Sequence, residues 1–280
     1  SMNNTNDTFI EILESTEALE TTHAIIREEN DEINNILISP VDEKNITIRV
    51  NSIQTHLLKL SKLIDADSGL LQGLIRDYDS HKLGASLENL SKQELPLTKA
   101  KVEAVFKSST DTGAFEEKNK KAYDELVSVK NEFITIAEDY KSKLTDAKSA
   151  AKTINKKDME KNLKSLNGMR ASNEDYSKNI TQIIERIQGN QTVSGINSVQ
   201  AQLQKLIKDH DNSADIERIS NFREDMNNVL ETLQTFGQEL ETLDDNLKKA
   251  SLTFSTKMTQ YTEAAKAERG ELTPAPDPSA

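Results

Sequence analysis

Apolar residues recur along most of this chain at alternating steps of three and four, which places one stripe on an α-helix and is the pattern of a coiled-coil seam. One run carries Ala122, Leu126, Val129, Phe133, Ile136, Tyr140, Ala147, Ala151 and Ile154, then continues through Met159, Leu163, Leu166, Tyr176, Ile180, Ile183 and Ile187. A second carries Ile196, Val199, Leu203, Leu206 and His210, then Met226, Val229, Leu233, Phe236, Leu240, Leu243, Leu247, Ala250, Phe254, Tyr261 and Ala264. Between them lies GNQTVSG, with Gly189 and Gly195 as helix stop and restart. The spacing predicts two arms, residues 114–188 and 195–268, each about 110 Å long if unbroken. Folding at the turn sets Gly113 level with Gly270, so an antiparallel pairing is expected. Residues 155–158, Asn167-Gly168, the run 209–215 and Gly237 are the places where an arm would kink or break.

Two further helices precede the arms. The first is expected from Asp7 to Ile38, with Phe9, Ile12, Leu13, Leu19, Ile26, Ile33 and Ile36 as its apolar positions, and Ser39-Pro40 ends it. Its stripe is loose, as in a helix packed within a bundle. The second starts near Asp42 and keeps a clean heptad through Ile46, Val50, Ile53, Leu57, Leu60, Ile64, Leu71, Leu74 and Tyr78. Asp67 is its one charged insertion, and Gly84 its expected stop. A weaker helical stretch over 86–106, interrupted at Pro96, leads to a loop around Gly113. The fold expected is all-α: an elongated antiparallel coiled-coil hairpin over 113–269, with the helices of 1–112 packed as a bundle along its base and tapering to a two-helix tip. Residues 270–280, GELTPAPDPSA, read as an extended Pro-rich linker.

Composition supports thin seams over a thick core: 35% of residues are hydrophobic, 4% aromatic and 29% charged, with no Trp. A net charge of -12 argues against nucleic acid, whose phosphates require a basic surface. It argues equally against a helix that lies on anionic lipid. No run of about 18 apolar residues exists to span a bilayer. The chain has no Cys, so disulfides, zinc–thiolate sites and a Cys nucleophile are excluded. Ser1-Met2 reads as a cleavage remnant before an initiator Met, and Asn3 to Thr8 lacks the basic region of a signal peptide.

The nearest approach to metal chemistry is Asp209, Asp211, Ser213 and Asp215, oxygen side chains at alternate positions like the first half of a calcium loop. Ala214 stands where the sharp-turn Gly belongs and Ser220 where the closing Glu belongs. A polar break between helices explains the same residues. His23, His56, His81 and His210 show no helical pair spacing, and His210 falls on the seam as a polar position that sets register. Phosphate-binding glycine loops, the GxSxG elbow and HExxH are all missing. A non-enzyme without cofactor is expected. Partner contact is expected through a helical face or through the hairpin tip, Gly189, Asn190, Gln191, Thr192, Val193, Ser194 and Gly195, with Val193 exposed.

The TPAPDPSA tail following heptad-patterned helices resembles the helical ectodomains of Gram-positive wall-anchored surface proteins, where a helical region precedes a Pro-rich wall-spanning segment. The resemblance implies a secreted or cell-surface adhesion module that binds a protein or glycan. It carries no functional residue onto this chain. The start at Met2 supports a second reading, a cytoplasmic coiled-coil scaffold or tether, as a monomer or a coiled-coil homodimer. A soluble component of a toxin or secretion system is a third.

Overall fold

The computed structural model describes residues 2–79, 83–85, 87, 99–110 and 120–268. The protein is all-α, and no strand occurs among the described residues. Its helices are α1 (Met2–Ile38), α2 (Ile46–Tyr78), α3 (Lys99–Thr110), α4 (Lys120–Ala151), α5 (Lys156–Gly189), α6 (Val193–Asp209) and α7 (Ser213–Glu268). The first arm breaks at 152–155, where the Asn155 side chain accepts the Asp158 N–H and caps α5. The second breaks at 210–212. Helix runs unbroken through Asn167-Gly168 and through Gly237, because a lone Gly costs only about 1 kcal/mol within a helix held by its neighbours. Gly84 is helical, and α2 ends earlier, at Tyr78. Pro96, the loop around Gly113 and the Pro-rich tail lie outside the described residues.

The chain divides into two compact units. Unit 1 comprises Ser1–Leu90 with Lys152–Glu231, and unit 2 comprises Ser91–Ala151 with Thr232–Ala280. Helix α7 contributes to both. The division therefore falls across the long helices, where the sequence led us to expect a boundary at 112/113.

Unit 1 is built on four helices, with the first part of α7 added as a fifth: α2 packs closely on both α1 and α5, α6 adjoins α5 and α1, and α7 brings Phe222 against Tyr78 and Arg223 to Glu20. One core cluster joins Ile33, Leu37, Val50 and Ile53 to Ile183, Ile187, Ile196 and Val199. The α1–α2 pair thus covers the part of the hairpin that contains its turn, and no bare two-helix tip exists there. The reason is that the stripes of α1 and α2 run up to their own connecting turn, so a partner seam is needed to that end. Gln200 Nε2 donates to the Leu37 carbonyl at 2.5 Å, and Arg49 donates to the carbonyls of Ile36 and Ser39. These bonds satisfy acceptors that the end of α1 leaves free.

In unit 2, α4 and the later part of α7 run antiparallel. As the α4 partner climbs through Tyr123, Phe133 and Lys143, the α7 partner falls through Tyr261, Phe254 and Glu239. Helix α3 adds Val102 and Phe106 to the same core.

Candidate functional site

Helices α5 and α6 turn at residues 190–192. Asn190 follows the last helical residue, and Thr192 caps α6 by accepting the Gly195 N–H at 3.0 Å, an arrangement worth about 1 kcal/mol. Gly195 lies inside α6, so the helix restarts at Val193. Its lack of a side chain is a matter of space: a Cβ there would stand 2.6 Å from Asn190 Cγ and 2.7 Å from the Asn190 carbonyl oxygen. Gly189 meets no such restriction. Gln191, Thr192 and Ser194 are exposed, whereas Val193, expected to be exposed, is half-buried.

The α1–α2 turn stands at the same end of unit 1. Ile38 and Ile48 are 72% and 71% exposed, the most open large apolar side chains among the described residues. Ile48 lines a shallow cleft with Ser39, Pro40, Asn45 and Arg49. This end therefore offers apolar side chains set among polar ones and the Arg49 cation.

The second distinctive region is buried. Helix α1 places Phe9, Ile12, Thr16, Leu19, His23, Ile26, Asn30, Ile33 and Leu37 in the core, a strict heptad in which every second member from Thr16 to Asn30 is polar. The stripe looks loose in sequence only because three seam positions are not apolar. Each meets the core of another element. Thr16 Oγ1 lies 3.3 Å from the Tyr78 hydroxyl, and the Tyr176 hydroxyl donates to Asn30 Oδ1 at 3.1 Å. His23 lines a small cavity with His210. Tyr176 also meets the His210 ring edge-on, with centroids 4.0 Å apart. One further layer is formed by Asn173 donating to Asp67 Oδ2 at 2.7 Å, and burial pushes the Asp67 carboxyl up to about 6. Between α1 and α2, the buried Glu29 accepts from His56 at 2.5 Å and pairs with Lys59 at 3.1 Å.

The acidic run at the α6–α7 break serves the backbone. Asp209 is the last residue of α6, Asp211 Oδ1 accepts the Ser213 N–H at 3.1 Å, and Asp215 pairs with Arg218 at 3.7 Å. The Ser213 backbone and hydroxyl hold the Asp211 carboxyl below its usual range. No three His, Asp, Glu or Cys side chains among the described residues gather as a metal site. The three aspartates stand at the helix junction. His81 lies outside the described residues. The convergence of His23 and His210 was hidden in the sequence, where 187 positions separate them; the available signal was the heptad phase they share with apolar neighbours.

What the fold defines is an all-α protein of two helical units, each closed by heptad seams. Among the described residues no helix is long and apolar enough to cross a membrane. No family model, curated protein or solved structure matches the chain.

Proposed function

We propose that this chain is a non-catalytic helical binding module that works at a bacterial cell surface and contacts a protein or glycan through the turn end of unit 1. The observation that carries this reading is the exposure of Ile38 and Ile48, above 70% each, beside the polar turn Gly189–Gly195. Exposed side chains of that size gain when a partner covers them, roughly 1.5–3 kcal/mol for each one fully buried. The helical faces away from this end offer weaker or isolated anchors: Leu252 at 69% exposure, and Leu58 and Ile25 at 49% and 40%.

The test is binding of the purified chain to arrays of extracellular proteins and of glycans, with I38S/I48S and L252S as companions. Saturable binding that falls at least about tenfold in I38S/I48S and survives in L252S supports the reading; tenfold corresponds to about 1.4 kcal/mol. Equal binding by all three chains would move the contact elsewhere. No saturable binding on either array would remove the adhesion function.

A further inference from the structure

Two buried histidines line one cavity at the break between α6 and α7. His23 on α1 and His210 at the break are each 3% exposed and line one cavity with Asn30, Arg27, Asp31, Lys208 and Asp211. Neither ring nitrogen of His23 bonds to a protein atom, and Nε2 of His210 bonds to none. His210 Nδ1 stands 3.5 Å from Asn212 Nδ2, a long contact, and its ring rests edge-on against Tyr176. Two neutral imidazoles can occupy such a place; two imidazolium ions cannot, since no carboxylate bonds to either ring.

We propose that His23 and His210 form an acid-opened latch, whose protonation separates α1 from the α6–α7 junction and loosens the break at 210–212. The charges facing the pair come from every side. Helix α1 supplies Arg27 and Asp31, α6 supplies Lys208, the break supplies Asp211, and α5 supplies only the Tyr176 ring and hydroxyl. Helix α2 buries three titratable groups, Asp67, Asp77 and Tyr78, and none of them lines this cavity; Asp67 bonds to Asn173. Two cations and two anions on the rim offset each other, so protonating both rings adds two positive charges with no matching acid. The break also interrupts the helical hydrogen bonding between α6 and α7. It retains His210 N–H to Leu206 O at 3.1 Å, Asp211 N–H to Lys208 O at 3.3 Å and Ile216 N–H to Asn212 O at 2.9 Å.

The direction of titration agrees with the geometry. Burial, then Arg27, lowers His23 below its ordinary 6.5, against a smaller pull upward from Asp211. Burial, then His23, lowers His210 to about 4. Because the folded values lie below the unfolded ones, the stability these rings contribute is complete above 6.5 and is lost as the pH falls towards 4. Asp67 acts in the opposite sense, since acid protonates it and relieves its burial. A loss of structure at the latch in acid therefore cannot come from Asp67.

The experiment is hydrogen exchange on the full 280-residue chain at several pH values, with protection factors corrected for intrinsic rates, in wild type and in H23L/H210F. In wild type, protection over 205–216 should fall at least about 100-fold between pH 7 and pH 4.5, since each depressed histidine contributes up to tenfold per pH unit. In H23L/H210F the fall should shrink to about threefold or less. Unchanged wild-type protection, or an equal fall in the double variant, overturns the proposal. Should H23L/H210F fail to fold, the wild-type imidazole resonances decide: titration of both rings near 6.5 in the folded protein overturns the latch, and titration well below it upholds the latch.

Discussion

The two units solve the same packing problem with different chemistry. In unit 2 the seam is apolar and aromatic: Phe133 meets Phe254 at 5.7 Å, Tyr123 meets Tyr261 at 6.2 Å, and Lys130 sits 4.4 Å over the Phe106 ring. In unit 1 the seam is mostly aliphatic, with one aromatic pair, Tyr78 and Phe222 at 5.7 Å, and is crossed by polar layers; every buried polar or charged side chain among the described residues lies there. Aromatic pairs add roughly 0.5–1.5 kcal/mol each beyond their area, but any aliphatic neighbour shifted by a heptad could replace them. Polar layers contribute less stability, yet a heptad slip would bury each donor against a hydrocarbon. Unit 1 has four helices to align, and four similar aliphatic stripes allow many registers. The polar residues remove those alternatives.

The largest effects should come from the apolar seams. Phe133→Ala is expected to lower the stability of unit 2 by about 3–5 kcal/mol, read from urea melts followed by circular dichroism. In α7, Leu240→Asp should be far worse than Leu243→Asp, because Leu240 is buried and Leu243 only half-buried. Equal damage from the two would mean that the seam of unit 2 is not the one described.

Next comes the ionisable layer. The Asp67 carboxyl keeps its proton up to about 6, whereas an unfolded chain releases it near 3.8. The folded state therefore binds more protons between those values, so stability is full at low pH and is lost as the pH rises through 6. Asp67→Asn removes that loss. At pH 8 it should stabilise the protein by about 1–3 kcal/mol, near pH 5 by about half as much and at about pH 3.5 by much less, measured as urea midpoints at each value. A variant that is less stable at pH 8 would show that the charged carboxylate is itself part of the layer.

These layers also explain what could be read from sequence. The heptads of α2 and α6 were legible because nearly every seam position there is apolar, whereas in α5 the buried Asn162 and Asn173 stand on the stripe and Leu163 beside it is only half-buried. Helix α1 was read as loose because Thr16, His23 and Asn30 look like surface residues until their spacing of seven is noticed. Ala264 was taken for a seam residue, but the stripe steps by four from Tyr261 to Ala265, one choice that local pattern cannot make. The placement of α1 and α2 against the hairpin turn had no local signal at all, since it is set by contacts such as Gln200 to Leu37. The turn Gly189–Gly195 was found from its glycines, but the roles were exchanged: Thr192 caps, and Gly195 makes room for Asn190.

A smaller effect is expected at Tyr176. Tyr176→Phe deletes the donor to Asn30 Oδ1 and leaves that oxygen without a partner in a buried layer, a loss of about 1–2 kcal/mol. Asn30→Leu in the same background should recover most of it, because removing both polar partners costs far less than removing one. If the recovery fails, the layer holds unit 1 together by more than its own bond.

The smallest effect is the most informative about register. Thr16 Oγ1 also donates to the Ile12 carbonyl at 2.6 Å, so its hydroxyl is satisfied within α1, and the 3.3 Å contact with Tyr78 is a second, weaker one. The doubly apolar T16V/Y78F should therefore change the urea midpoint of unit 1 by less than about 1 kcal/mol in either direction. What should change is uniqueness. With one polar layer gone, α1 loses a reason to prefer its register over one shifted by a heptad, and amide resonances from its first half should broaden or double. Sharp single resonances would mean that the layers at His23 and Asn30 are enough to align the helix. A destabilisation of several kcal/mol would instead show that this layer stabilises the fold as strongly as the aromatic pairs of unit 2 stabilise theirs.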